Sequence, residues 1–269
     1  MQNKLRVLSL GAGVQSSTLA LMIEKGLIPK VSCGIFADTG GEPKLVYSQL
    51  KWLEKQLSFP VYRVEKGNLR KDMIDAIDGK YKFLTVPLYT INSKTGKKGL
   101  LRRQCTNDYK IQPIVQQIRK LLGLKKRQKV KKDMAVEMLM GISYDEIYRI
   151  KTNRLPYITN TYPLADMKMR RSDCLNWMKD NGYPKPPRSA CTFCPYHSNE
   201  EWREIKKDKV EWNEVIALDK AIRFGTRKKE DQVFLHKSCT PLDQADLSDP
   251  KKNQLNLFVD GCVEGYCGN

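Results

Sequence analysis

The sequence predicts an α/β protein with a doubly wound, mostly parallel sheet, followed by a helical extension that contains cysteines. Two apolar runs near the start of the 269-residue chain, residues 5–10 and 31–37, indicate buried strands. Each run ends in a polar loop that contains glycine, and a helical pattern follows each loop. Strands that end in this way are typical of a parallel sheet whose ligand site lies at the carboxyl ends of its strands.

The first strand-to-helix turn has the sequence Ser-Leu-Gly-Ala-Gly-Val-Gln-Ser-Ser over residues 9–17, and an amphipathic run follows at 18–23. Glycines allow the backbone to approach a phosphate, and the N–H groups at a helix start carry partial positive charge. Neither G-x-G-x-x-G nor G-K-[ST] is present, so this is neither the dinucleotide fingerprint nor the lysine-bearing phosphate loop. The turn predicts an anion site, with an ordinary tight turn as the alternative.

The second turn, Asp-Thr-Gly-Gly-Glu-Pro at residues 38–43, follows the second apolar run. A helix is expected over residues 44–57, because Val46, Leu50 and Leu53 recur at helical spacing. Since both turns end parallel strands, Ser16 and Asp38 are expected side by side at the same edge of the sheet.

The rest of the chain divides into shorter predicted elements. These are strands at 60–64 and 135–140, helices at 68–77, 108–122, 144–151, 172–181 and 199–224, and a long loop or lid at 81–100. Prolines at 184, 186 and 187 mark a boundary. We expect an α/β domain over residues 1–167 and a helical, cysteine-rich region over residues 168–269.

Six segments within residues 5–197 form an ordered set of motifs. They are residues 11–16, residues 36–43, Arg-Gln-Cys-Thr at 103–106 with Lys110 and Pro113, Gly141-Ile142-Ser143 with Glu146 and Arg149, Tyr-Pro-Leu at 162–164, and Cys-Thr-Phe-Cys at 191–194. In this order they resemble the motifs of the PP-loop ATP pyrophosphatase (adenine nucleotide alpha-hydrolase-like) superfamily, in its phosphoadenosine phosphosulfate (PAPS) reductase-like branch. Two positions depart from the pattern. Gln15 stands where the superfamily has Asp, and Ser143 stands where the branch has Arg.

The resemblance implies binding of ATP, or of PAPS or APS, with Mg²⁺, and chemistry at the α-phosphate. The residues that it assigns to the nucleotide are Ser9, Gly11, Ala12, Gly13, Gln15, Ser16, Ser17, Asp38, Thr39, Gly40, Gly141 and Arg149. Asp38 and Lys110 are the catalytic residues that it implies. Lys110 and the loop N–H groups are expected to stabilise charge that develops on the phosphates.

The cysteine pair Cys191-x-x-Cys194 predicts a soft metal site, because such a turn brings two sulfurs to one side. Zinc would take these two thiols, His197 and either Cys174 or Cys105. The resemblance favours a 4Fe–4S cluster held by Cys105, Cys191 and Cys194, with the fourth position open or taken by Cys174. A buried thiol pair without metal is the third interpretation.

A second cysteine pair, Cys262 and Cys267, stands near the end of the chain. Cys267-Gly268 resembles the C-terminal Cys-Gly of sulfonucleotide reductases, which implies a catalytic nucleophile at Cys267. Cys262 also permits a structural, redox or cluster-binding role for the pair.

Charge suggests a polyanionic partner. The net charge is +18, and basic residues cluster at 94–103, 120–132 and 168–171 without balancing carboxylates. We expect a nucleic acid, tRNA or DNA, at these clusters, with a solvated surface as the alternative. No apolar run approaches the ~18 residues of a membrane span and no signal segment is visible, so a cytoplasmic location, without membrane contact, is expected. The eight cysteines are then thiols or metal ligands rather than disulfides.

Three functions remain open from the sequence. The first is an enzyme that uses ATP and an iron–sulfur cluster for sulfur transfer to, or modification of, a nucleic acid, with a sulfur-donor protein as a partner. The second is a sulfonucleotide reductase that uses Cys267. The third is a non-catalytic binding module, which the departures at Gln15 and Ser143 favour. The excess positive charge favours the first.

Overall fold

The computed structural model describes residues 4–77, 84–131, 133–225 and 230–248. The strands are β1 Leu5–Leu10, β2 Cys33–Asp38, β3 Val61–Glu65, β4 Tyr89–Asn92, β5 Lys98–Leu100, β6 Val136–Met140, β7 Ile158–Thr161 and β8 Asp231–Phe234. The α-helices are α1 Val14–Glu24, α2 Lys44–Gln56, α3 Leu69–Ile77, α4 Gln112–Leu121, α5 Pro163–Asp166, α6 Arg171–Asp180, α7 Asn199–Lys207 and α8 Lys209–Ala221.

The main sheet has the strand order β3-β2-β1-β6-β7, and each neighbouring pair is parallel. The chain builds β1, β2 and β3 towards one edge and then crosses over to place β6 and β7 on the other side of β1. The order therefore reverses between β1 and β6, which is where ligands bind in open parallel sheets. The predicted fold class, an α/β sheet followed by helices, is confirmed.

Both faces of this sheet are covered, as its doubly wound form requires. Helices α1, α2 and α6 pack on one face, in a cluster that includes Leu19, Leu50 and Met178, while Ile118 of α4 packs on the other face. Nearly every residue of α1 is buried. The prediction of an amphipathic run at 18–23 was wrong, because α1 lies between the sheet and other helices and has no face left for solvent.

A second, antiparallel sheet in the order β5-β4-β8 joins distant parts of the chain. Its strand β8 pairs with β4, with Asn92 opposite Asp231. The prediction of a long loop or lid over residues 81–100 missed β4 and β5 within 84–100, and residues 81–83 lie outside the described part. The partner strand lies far away along the chain, so no local pattern could reveal the pairing.

Three predicted helices differ in detail. The helix expected at 199–224 is divided at Asp208, whose Oδ1 accepts hydrogen bonds from the backbone of Val210 and Glu211 and so begins α8. Before α4 lies a π-helical turn, Asn107–Ile111, and the helix expected at 144–151 is a 3₁₀ helix, Tyr144–Arg149.

The predicted division at residues 167 and 168 stays a prediction. Across it, α6 packs on α1, and β8 pairs with β4. Within the described residues, none of the helices has the length and apolar character needed to cross a membrane.

Candidate active site

The loop between β1 and α1 lies at the carboxyl end of the central strand. The Ser16 side chain bridges the loop: its Oγ accepts a hydrogen bond from Gly11 N (3.2 Å) and donates one to Gly13 O (3.3 Å). No side chain caps the start of α1 at Gly13, and its first turn contains no acidic residue. The partial positive charge of this helix end is therefore not neutralised by the helix itself, as an anion site requires.

Gly141, directly after β6, closes the other side of this crevice. A Cβ atom at this position would lie 2.8 Å from Ser16 N and 2.9 Å from Ser16 Cα, so only glycine fits. Ser9 in β1 pairs with Met140, the last residue of β6, one step before this contact. The structure thus brings the first and fourth motifs together at the point where the strand order reverses.

Gln15, the first departure from the motif pattern, is buried and links three segments. Its Nε2 donates to Glu146 Oε2 (3.1 Å) and to Ser143 Oγ (3.4 Å), so the two departures are in contact with each other. Its Oε1 accepts from Arg171 Nη1 (3.0 Å), while Arg149 pairs with Glu146 at 2.7 Å. Arg171 and Glu146 were not predicted as nucleotide-site residues. Arg171 lies 156 positions from Gln15, and nothing local marked this contact.

The loop after β2 holds Asp38 in one orientation. Its Oδ1 accepts from Gly40 N (2.7 Å) and from Tyr47 Oη (2.7 Å). Burial and the hydrogen bond to this carboxylate raise the pKa of Tyr47. Gly40 has a φ of +68°, which favours glycine. A Cβ atom at this position would also collide with Asn68, so a side chain is excluded there.

The segment that contains the late cysteine motif packs on both loops. Thr192 N donates to Gly41 O (2.8 Å), and Cys191 Sγ lies 3.1 Å from the Oγ1 atom of the buried Thr39. Upstream, a Cβ atom on Gly13 would lie 3.1 Å from Ser189 Cβ. The first, second and sixth motifs, far apart in the chain, therefore form one site.

Glu42 is the most buried carboxylate of this region, with 1% of its side chain exposed. Its Oε1 lies 3.0 Å from Lys110 Nζ, and its Oε2 has no hydrogen-bond partner among the described residues. This pair places the predicted catalytic Lys110 beside the loop that contains Asp38. Burial, and then the charge of Glu42, raise the pKa of Cys191, whereas Lys110 lowers it.

Cys105 and Cys191 both pack against a hydrophobic cluster that surrounds the buried Trp202 and includes Phe193 and Tyr109. Burial raises the pKa of Cys105, and the charges of Arg103 and Lys110 oppose this effect. Cys194 follows one turn after Cys191, with its N–H donating to the carbonyl of Cys191.

The structure does not bring Cys174 to these thiols. Cys174 is buried on α6, in the cluster that includes Leu19, Leu50 and Met178, and its carbonyl accepts a hydrogen bond from Thr18 of α1. His197 places Nε2 2.9 Å from the carbonyl oxygen of Cys191 and packs edge-on against Trp202. Burial lowers the pKa of His197 to about 4.

Among the described residues, no group of three or more histidine, cysteine, aspartate or glutamate side chains is arranged to hold a metal ion. As placed, these residues do not form a ready-made metal site. The cluster on Cys105, Cys191 and Cys194 stays a prediction. Cys262 and Cys267 lie outside the described residues.

The solved structures that are similar to this chain include two enzymes. A PAPS reductase from Candida auris, in a phosphate complex, is 15% identical, with 68% of this chain and 75% of that chain covered and a TM-score of 0.42. The U34-tRNA thiolase NcsA from Methanococcus maripaludis, with its 4Fe–4S cluster, is 14% identical, with 85% and 72% covered and a TM-score of 0.40.

Both proteins are adenine nucleotide alpha-hydrolase-like proteins of the PP-loop type, the superfamily that the motifs resemble. No protein-family model and no curated protein sequence matches the chain.

Proposed function

We propose that this chain is an ATP-binding enzyme of the PAPS reductase-like PP-loop type, which activates its substrate at the α-phosphate. The observation that supports this most directly is the contact of Gly141 with the backbone of Ser16. It places the uncapped, acid-free start of α1 in the crevice where the strand order reverses. A helix start in this position is suited to phosphate groups.

In the proposed reaction, the phosphates of ATP lie along residues 11–17, and Arg171 adds a positive charge beside Gln15. An oxygen of the acceptor attacks the α-phosphorus. The bond from that phosphorus to the bridging oxygen breaks, and pyrophosphate leaves with the electron pair. Mg²⁺, where bound, would neutralise part of the charge on the leaving group. A second nucleophile then displaces AMP from the acceptor. The loop N–H groups and Lys110 stabilise the negative charge that develops.

We further propose that the acceptor is a nucleic acid, tRNA or DNA. In support, residues 98–100 and 125–129 are exposed, and they belong to the basic clusters at 94–103 and 120–132. The third cluster, 168–171, includes Arg171, which reaches the nucleotide loop. We also propose that the reaction transfers sulfur to this acceptor and uses a 4Fe–4S cluster and a sulfur-donor protein.

The experiment is pyrophosphate release from ATP by anaerobically purified protein, with tRNA or DNA as acceptor. Ser16→Ala and Asp38→Ala should abolish release and leave the fold intact, while Ser48→Ala, at an exposed position of α2, should behave as wild type. Turnover at the wild-type rate in both site variants would exclude the proposal. Reduction of PAPS without ATP turnover would favour the sulfonucleotide reductase instead.

Iron and sulfide analysis of the same preparation tests the cluster. Iron with matching sulfide and a band near ~400 nm would support it. Cys191→Ser should lose both the iron and the band, and iron retained in this variant would remove Cys191 as a ligand. Zinc, or no metal, would leave an adenylating enzyme or a binding module.

A further inference from the structure

A basic loop, residues 119–131, runs from the last turn of α4 towards the start of β6. It lies at the amino edge of the main sheet, opposite the candidate active site. We propose that this basic loop binds the phosphate backbone of a nucleic acid acceptor at a distance from the base that reacts. The inference rests on the proposed function, which it extends by naming a second contact and the extent of acceptor that this contact requires.

The charge of the basic loop is not balanced by carboxylates. The sequence contains no aspartate or glutamate between Asp108 and Asp133. Glu137, which follows in β6, is itself held by Arg6 at 3.2 Å. Six cations of the basic loop are exposed, and none forms an ion pair with a described residue: Lys120, Lys125, Lys126, Arg127, Lys129 and Lys131.

The basic loop is also a built structure. Arg119 Nη2 donates to the carbonyl oxygens of Lys125 (3.3 Å) and Gln128 (2.5 Å). Gln128 Oε1 accepts from Lys125 N (2.9 Å), and Gln128 N donates to Lys125 O (3.1 Å), which closes a turn. Leu124, directly before the turn, is buried. These bonds hold the backbone that carries the cations, so less of it has to be ordered when an anion binds.

The other two basic clusters use part of their charge inside the protein. In the cluster at 94–103, Lys94 pairs with Glu230, and Lys98 Nζ donates to Ser238 O at 3.0 Å. In the cluster at 168–171, Arg171 donates to the nucleotide loop. The exposed cations of the basic loop have no such partners among the described residues, so their charge is available to an external anion.

The chemistry of the basic loop favours a nucleic acid over a membrane surface. Surface binding to a bilayer uses apolar side chains that enter it beside the cations. Within residues 119–131, all described, no large apolar side chain is exposed. Binding through a row of cations without apolar contacts is the sequence-independent mode by which proteins hold the phosphates of nucleic acids.

The position of the basic loop sets how far the partner must extend. Strand β6 runs from Val136, near the loop, to Met140, directly before Gly141 in the crevice. The four residue steps of about 3.3 Å separate the ends of this strand by about 13 Å. A nucleic acid that reacts in the crevice and also contacts the loop must therefore extend by at least about four base pairs of roughly 3.4 Å each. A mononucleotide cannot reach both.

Binding of a fluorescein-labelled DNA duplex of about 20 base pairs, measured between about 50 and 200 mM salt, tests the basic loop. Lys126→Gln with Lys129→Gln removes two exposed cations whose side chains do not hold the turn. This double variant should lower the salt slope by about 1.8, which is 0.9 for each phosphate contact, and weaken binding about tenfold or more at ~0.1 M salt. The matched control is Lys51→Gln with Lys55→Gln, two exposed lysines of α2, which should stay near the wild-type values.

Arg127→Gly separates binding from folding. Arg127 has a φ of +64°, in the left-handed region that favours glycine, so this variant removes a charge and adds no strain. Its melting temperature should not fall, while its salt slope should drop by about 0.9. A loss of binding found only in variants that have also lost their fold would overturn the inference.

Two further outcomes would overturn it. Equal losses in the two double variants, or no loss in either, would mean that only net charge acts. Vesicles that contain phosphatidylserine supply the other outcome. If the wild type binds them as tightly as the duplex and the Lys126→Gln, Lys129→Gln variant does not, the basic loop is a membrane contact.

The distal position has its own readout in pyrophosphate release stimulated by a nucleic acid. The Lys126→Gln, Lys129→Gln variant should raise the KM for the nucleic acid and keep kcat, because the basic loop lies away from the reacting atoms. A kcat that falls as much as the KM rises would refute this position. Binding of fluorescent ATP to the wild type judges the proposed function separately: absence of ATP binding would refute that function, whereas duplex binding alone decides the basic loop.

Discussion

Gly141→Ala tests the crevice on which the proposed function depends. The new Cβ would lie 2.8 Å from Ser16 N, 2.9 Å from Ser16 Cα and 3.1 Å from Gln15 C, and ordinary contacts begin at 3.4 Å. All three neighbours are backbone atoms at the start of α1, so no side chain can rotate away. The loop must move by about 0.6 Å, the difference between 3.4 and 2.8 Å.

Two effects should follow from this movement. Overpacking of a well-packed contact costs about 1–3 kcal/mol, so the free energy of unfolding should fall by that amount. The N–H groups of the loop would also leave their positions around the phosphates. Because a shift of about 1 Å in catalytic geometry can cost a hundredfold, a shift of this size should slow pyrophosphate release about tenfold.

Gly34→Ala, in β2, is the matched control. Its Cβ would find its nearest neighbour, Val61 Cγ2, at 3.5 Å, an ordinary contact, so little change is expected. Chemical denaturation and pyrophosphate release should be measured on both variants. If Gly141→Ala is as stable and as active as Gly34→Ala, the crevice is not formed by this contact and the reasoning fails.

Three further predictions concern electrostatics and capping, and chemical denaturation tests each of them. Lys110→Met leaves the buried Glu42 carboxylate without its ammonium group, so the free energy of unfolding should fall by about 2 kcal/mol; adding Glu42→Gln should recover part of it, and no recovery would mean that the pair is not coupled. Burial lowers the pKa of His236, so the unfolded chain binds more protons and stability should fall as the pH drops below about 6.5. His236→Gln should reduce this fall, the remaining slope belonging in part to His197, and an unchanged slope would count against the buried neutral ring. Ser198→Ala should cost about 1 kcal/mol, because the Ser198 hydroxyl caps α7, and a loss below a few tenths would show that the cap contributes nothing.

The parallel sheet could be predicted because its signals are local. Strands β1 and β2 are short apolar runs, and the loops after them carry their glycines and polar residues within a few positions. Those loops alone fix where Ser16 and Asp38 lie, since carboxyl ends of parallel strands share one edge. The strand β7 was missed, because Ile158–Thr161 contains one strongly apolar residue among three polar ones.

What the sequence could not show depends on contacts between distant segments. Strand β8 completes the second sheet only by pairing with β4, and Arg171 reaches Gln15 from α6. Glu42 lies in the second motif, residues 36–43, but its residue type does not reveal that it is buried. It is buried against Lys110 because the π-helical turn packs near the loop after β2. Charge on the chain predicted a basic surface but could not say which basic cluster lies at the amino edge of the sheet.

The two departures from the motif pattern make physical sense as one change. An aspartate at position 15 would face the Glu146 carboxylate with no proton to share, whereas the Gln15 amide donates to it and also accepts from Arg171. The serine at 143 leaves room for this arrangement and accepts a second hydrogen bond from the same amide. The arginine that the branch has at position 143 is absent, but α6 supplies a guanidinium to the same loop. In the proposed function, Arg171 therefore supplies beside the phosphates the positive charge that the branch places at position 143.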